Sequence, residues 1–299
     1  MRPIHENTVI HVDITNACHL SCAHCTRAVG HHRKPYFMPL EMVERAITSL
    51  DGFPGRVGIM GGEPCLHPAF NEILALVRKL IPDRRRREFW TAGFKWEEYR
   101  DDILATFDPD MVTYNDHTQV SGRHQPLMIA IEEMIDDPEL RKILIDNCPF
   151  QARWSAAITP KGAFFCEIAA SQDYLFDGPG GYPIEPGWWK KTPEQFQDQV
   201  GEYCGKCSGA LPMATLSDNR GGRESPSVDV VSPKNLKRLL KAGSLRALKG
   251  NIKVRKEKFT KEEIDAHIKT WKPRNFRNFV ANLPEDYPDG PQDPSHPSA

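Results

Sequence analysis

Over the first 145 residues, short runs of β-branched and apolar residues alternate with longer stretches whose apolar positions recur every three or four residues. TVIHVDI, from Thr8 to Ile14, reads as a strand. LEMVERAITSL, opened by Pro39, has helical spacing. RVGIM, from Arg56 to Met60, is a second strand running into Gly61-Gly62, and Phe70 to Leu80 is an amphipathic helix ended by Pro82. Glu88 to Thr91 and Asp110 to Tyr114 give two further strands, with a helix from Glu97 to Thr106 between them. Leu127 to Met134 and Glu139 to Ile145 read as helices. This alternation predicts parallel βα units. Four strands are too few for an eight-stranded barrel, so the fold class expected is α/β, a partial barrel or open sheet.

The pattern changes after Cys148. WSAAITPKGAFFCEI, from Trp154 to Ile168, predicts a hairpin with Pro160-Lys161-Gly162 at its turn. Residues 177–193 are rich in Gly, Pro and Trp and read as a loop. Leu236 to Leu248 and Lys261 to Trp271 read as helices, and the composition of the end of the chain is that of a disordered tail. The division expected is 1–147 for the βα units, 148–232 for a small second domain, 233–276 for a basic helical segment and 277–299 for the tail.

Composition narrows the function. The 299 residues carry a net charge of -1, so no global field attracts nucleic acid or an anionic membrane, and neither partner is expected. No apolar run is long enough to span a bilayer. His5 and Glu6 stand where a signal peptide needs an apolar core, which points to the cytoplasm. In a reducing compartment eight cysteines are metal ligands sooner than a disulfide framework.

Three of them, Cys18, Cys22 and Cys25, follow the first strand in CHLSCAHC. Three thiolates so close can hold three irons of a [4Fe–4S] cluster and leave the fourth open; a zinc site completed by His19 or His24 uses the same residue types. Gly61-Gly62-Glu63-Pro64 ends the second strand. Glycines let a ligand approach the backbone, and a carboxylate can hold an ammonium group. CxxxCxxC after the first strand with GGEP after the second resembles the radical S-adenosylmethionine superfamily over roughly residues 8–145. The resemblance implies a cluster on Cys18, Cys22 and Cys25 whose open iron chelates S-adenosylmethionine. It places Gly61, Gly62, Glu63 and Pro64 at the methionine ammonium, His24 beside the adenine and Thr91 near the ribose or carboxylate. It also implies a one-electron donor such as flavodoxin or ferredoxin, and a 5'-deoxyadenosyl radical that abstracts a substrate hydrogen.

Cys148, Cys166, Cys204 and Cys207 suit a second [4Fe–4S] cluster or a tetrahedral zinc equally by chemistry. The hairpin spacing followed by CxxC resembles the "twitch" domain, a shortened SPASM domain holding one auxiliary cluster. The layout is similar to that of radical dehydrogenases of the 2-deoxy-scyllo-inosamine type, which act on an aminocyclitol. The resemblance therefore implies oxidation of a secondary alcohol in a small sugar, polyol or aminocyclitol. Peptide modification, sugar epimerisation with Cys65 as hydrogen donor, and a zinc-stabilised binding protein are the competing readings. Asp116 and His117, just beyond the fourth strand, and Arg153, with Trp154 and Glu167, are the candidate catalytic or substrate contacts. Trp188-Trp189 could cover the site or pack. Arg84 to Arg87 reads as a solvated face, and so does the basic stretch 234–258.

Overall fold

The computed structural model describes residues 1–115, 124–153, 156–213 and 227–270. The βα units are β1 (Val9–Thr15), α1 (Leu40–Thr48), β2 (Arg56–Gly61), α2 (Phe70–Leu80), β3 (Arg87–Thr91), α3 (Trp96–Thr106) and β4 (Val112–Tyr114). Short helices α4 (Ile131–Met134), α5 (Pro138–Asp146) and α6 (Pro149–Arg153) lead to the hairpin strands β5 (Ala156–Thr159) and β6 (Gly162–Phe164). Then come α7 (Glu167–Phe176), α8 (Gln197–Tyr203), β7 (Asp229–Val231), α9 (Pro233–Lys241), α10 (Leu245–Leu248), β8 (Ile252–Val254) and α11 (Lys261–Thr270).

The main sheet is mixed α/β in its connections and runs β4-β3-β2-β1-β5-β6. Every pair from β4 to β5 is parallel, and only β5 and β6 are antiparallel. β1 is thus paired on both edges and buried along its whole length. Its Ile10, Val12 and Ile14 join the main core with Phe53, Phe70 and Phe89. That alternation leaves His11 and Asp13 on the other face, where they are also buried.

The hairpin is not a separate layer. Ala156 to Ile158 pair with Ile10 to Val12, so the sheet continues across the expected 147/148 division, and one core runs from Ile4 to Tyr203. The hairpin ends earlier than its sequence suggests, because Glu167 and Ile168 already belong to α7. That helix is buried on nearly every side, so it lacks the amphipathic signature that reveals a helix.

Two predicted helices are shorter. Only Ile131–Met134 of the stretch from Leu127 is helical. Leu236 to Leu248 is broken at Gly243, whose φ of +70° suits glycine, and Ser244 restarts the chain by capping α10 through Ala247 N at 3.2 Å. Trp188 and Trp189 pack rather than cover. Trp188 Nε1 donates to Ser49 Oγ at 3.2 Å, and Trp189 meets Phe53 edge-on.

The Arg84–Arg87 run is not simply a solvated face. Arg87 donates to Ile81 O at 2.7 Å and Thr106 O at 2.8 Å, and Arg84 to Phe107 O at 2.6 Å. These guanidinium groups tie down carbonyls left open at the ends of α2 and α3. No helix among the described residues is long and apolar enough to cross a membrane.

Candidate functional site

The loop after β1 and the turn after β2 are stitched together through their backbones. Gly62 N donates to Thr15 O and Glu63 N to Ala17 O, both at 2.7 Å. A Cβ on Gly61 would lie 2.0 Å from Thr15 O, and one on Gly62 2.2 Å from Ala17 O. The two glycines are therefore required by the approach of the cysteine loop itself.

Above this seam opens a cavity lined by Cys18, Cys22, Cys25, Gly61, Gly62 and Thr91. It brings together most of the residues predicted for the first cluster and the cofactor. Glu63 is placed otherwise. Its carboxylate is buried and accepts from Thr91 Oγ1 and from Ala92 N, each at 2.8 Å. Burial raises its pKa, against the pull of those hydrogen bonds. It joins the end of β2 to the end of β3 and does not line the cavity, whereas Thr91 does. Pro64 begins a short 3-10 turn behind it, which also buries Cys65.

A second cavity adjoins the first and shares Thr26, Arg27, Met60, Trp90 and Asn115 with it. His24, His124, Gln125 and Glu167 complete its polar lining. Under it lies a buried charged group. Arg27 Nε and Nη2 hold both oxygens of Asp13 at 3.2 and 3.1 Å, and Nη1 holds Glu167 Oε2 at 2.9 Å. His11 Nδ1 stands 3.2 Å from the same Glu167 oxygen. Burial is the largest influence on the Glu167 carboxyl and pushes its pKa up, but Arg27 and His11 together bring it below the ordinary value. Glu167 Oε1 has no protein partner.

The sequence reading kept Glu167 but missed His11, Asp13 and Arg27. The available signal was the pair of polar residues two apart inside an otherwise apolar strand, which places both on one face.

A third cavity gathers Cys148, Cys166, Cys204 and Cys207 and touches the second through Phe150. Burial raises all four thiols, and at Cys166, Cys204 and Cys207 neighbouring thiols raise them further. Cys166 and Cys18 are pushed up to about 12. None of the eight cysteines is in a disulfide.

Both sulfur sites carry amide donors aimed at sulfur. Gly209 N lies 3.2 Å from Cys207 Sγ and Leu20 N 3.4 Å from Cys18 Sγ. Such N–H···S bonds suit thiolate ligands, so both sets fit an iron–sulfur cluster. Among the described residues no three His, Cys, Asp or Glu converge tightly enough for a single metal ion. A [4Fe–4S] cluster distributes its thiolates over different irons and needs a wider set.

His24 is held in a left-handed conformation, φ +57°, and lines the second cavity. Its Nδ1 stands 3.2 Å from Asp229 Oδ1 on β7. Asp116, His117 and Trp154 lie outside the described residues. Arg153 closes α6, and its side chain also lies outside the description.

Residues 12–110, about a third of the chain, match the family model described as the radical SAM superfamily, a class that implies a [4Fe–4S] cluster and S-adenosylmethionine. Among solved structures the chain is similar to BtrN in complex with AdoMet and 2-DOIA, at 17% identity and a TM-score of 0.43, covering 67% of this chain and 88% of that one. It is also similar to SeMet BtrN in an open conformation, at 16% identity and a TM-score of 0.42, covering 72% and 96%. No curated protein matches the chain.

Proposed function

We propose that the chain is a radical S-adenosylmethionine oxidoreductase that oxidises a secondary alcohol of a small sugar, polyol or aminocyclitol. The observation that carries this reading is the position of Arg27 and Glu167. They line a cavity that adjoins both the three-cysteine cavity and the four-cysteine cavity.

Cys18, Cys22 and Cys25 would hold one [4Fe–4S] cluster, and Cys148, Cys166, Cys204 and Cys207 an auxiliary one. When loaded, the first would supply the electron that cleaves S-adenosylmethionine to a hydrogen-abstracting radical, and the second an acceptor for the electron left on the substrate. A flavodoxin or ferredoxin is the donor expected.

The chain's own residues do the rest. The Gly61-Gly62 backbone presents carbonyls close to the first cavity, where a methionine ammonium could be received. Glu167, ionised beside Arg27, offers Oε1 as an acceptor for a substrate hydroxyl or ammonium. Trp90 and Leu127 exclude water around it, and His124, Gln125 and Asn115 offer further polar contacts. Asp116, His117 and Arg153 are proposed as additional substrate contacts. Glu167 follows Cys166 directly, so the oxygen that orients the alcohol is one residue from an auxiliary ligand. The arrangement favours oxidation over epimerisation, because Cys65 lines neither this cavity nor the first.

The test uses reconstituted, reduced enzyme with S-adenosylmethionine and a panel of inositols, aminocyclitols and hexosamines. At least one should raise 5'-deoxyadenosine formation and yield a ketone. Glu167→Gln should raise its KM about tenfold, the loss of one charge-assisted hydrogen bond. No 5'-deoxyadenosine under any condition would overturn the class, and a colourless zinc-loaded protein would replace it with a binding module.

A further inference from the structure

We propose that Arg246, anchored by Asp229, is the positioning residue of the three-cysteine loop. The small C-terminal sheet and α10 would then shape the first cluster site together with the main sheet. This rests on Cys18, Cys22 and Cys25 being the cluster ligands.

Arg246 lies in a basic stretch: nine Lys and Arg and no acidic residue occur from Pro233 to Lys256. Yet it is only 4% exposed. Its Nη2 donates to Ser21 O at 2.8 Å and Ser21 Oγ at 2.9 Å, and its Nη1 to Cys22 O at 3.2 Å. Nη1 also pairs with Asp229 Oδ2. Asp229 in turn accepts from the His24 backbone N–H and holds His31 Nε2 at 2.8 Å, while His31 Nδ1 lies 2.7 Å from Ser244 Oγ.

One buried Asp–Arg pair thus collects the backbone of residues 21, 22 and 24 and the ring of residue 31. The loop between β1 and α1 has little regular structure to hold it. His24 and Ala28 are both left-handed, at φ +57° and +52°, a conformation strained for residues that carry a Cβ. Bonds from outside the loop offset that strain and turn Cys22 and Cys25 into one cavity. Gly30 fits the arrangement, since a Cβ there would lie 2.1 Å from Arg246 Nη2. The guanidinium also puts a positive charge, with that of Arg27, toward Cys25.

The experiment compares wild type with Arg246→Ala, Arg246→Lys, Gly30→Ala and, as control, Arg238→Ala. Arg238 stacks on Phe176 in the same segment. In the full-length apo-protein, iodoacetamide labelling of Cys22 and Cys25 is followed by mass spectrometry against Cys148 and Cys166. Loss of the three charge-assisted bonds to the loop should speed labelling of the loop cysteines at least about tenfold, with the auxiliary cysteines and the control unchanged. Arg246→Lys should behave like Arg246→Ala, because an ammonium cannot reproduce the fork. Iron after reconstitution should fall by about half in Arg246→Ala. Gly30→Ala should do the same more mildly, and it keeps the test open if Arg246→Ala fails to fold. Unchanged loop labelling overturns the proposal. So does equal loss of protection at both cysteine groups, which is general destabilisation. Wild type without iron on the loop would overturn the cluster reading instead, and the apo-protein labelling would still decide the role of Arg246.

Discussion

Glu63 and Thr91 are joined across the ends of two neighbouring strands: the threonine hydroxyl donates to the glutamate at 2.8 Å, and the next amide, Ala92, donates to its other oxygen. The carboxylate is thus a clamp between strand ends. Any effect of Glu63 on cofactor binding is proposed to run through the backbone that it fixes. Glu63→Gln keeps one acceptor and loses one, so it should destabilise the fold by about 1–3 kcal/mol and weaken S-adenosylmethionine binding about tenfold. Chemical denaturation and isothermal titration check both. A normal dissociation constant beside a lowered stability would leave the clamp with no part in binding.

Iron content divides the two cysteine groups. Wild type should reconstitute to about eight irons per chain, four in each cluster. Cys18, Cys22 and Cys25 replaced together by Ala should leave about half. Cys204→Ala with Cys207→Ala should also leave about half, but that variant should still cleave S-adenosylmethionine while forming no product. Equal iron in all three proteins would contradict both assignments.

Cys65 is 4% exposed, and burial and the Glu63 carboxylate beside it hold its thiol well above the ordinary range. Cys65→Ser and Cys65→Ala should keep most activity. With the true substrate in deuterated water, the product should be a ketone without solvent deuterium at the attacked carbon. An inverted alcohol carrying one deuterium, lost on Cys65→Ala, would establish an epimerase.

His32, later in the three-cysteine loop, gives a pH signature of its own. Burial lowers its pKa to about 4, aided by His31, while its hydrogen bond to Arg27 O opposes the shift; Tyr174 packs edge-on against its ring. Between about 4 and the ordinary histidine range the unfolded chain binds a proton that the folded chain refuses. Stability should therefore fall as pH drops through that window. His32→Asn should flatten the melting temperature against pH there. An identical slope would show that other groups dominate.

The alternation of β1 to β4 with α1 to α3 was legible because short β-branched and apolar runs alternate with stretches of helical apolar spacing, with Gly or Pro marking turns around β2 and β3. The cysteine motifs and Gly61-Gly62 were legible because their spacing is local. α7 was not, since a helix buried all round has no polar face to betray it. Arg27 and Arg246 were not, since their partners lie far away: Glu167 for the first, Asp229 and the carbonyls of residues 21 and 22 for the second. Arg246 was hidden further by eight other Lys and Arg in a stretch that reads as surface.

The pairing of β5 with β1 has a consequence for distance. The three-cysteine loop leaves β1 at Thr15. Antiparallel β6 carries the chain back, with Phe164 opposite Ala157, so Cys166 emerges near the other end of the same strand. The separation is about the length of β1, roughly 20 Å. From Thr15 to Phe164 the path follows the paired strands β1, β5 and β6. Were the four-cysteine site carried on a tethered lobe, the gap between the two would breathe with every lobe movement. Here Cys166 and the root of the three-cysteine loop are spaced by one continuous sheet.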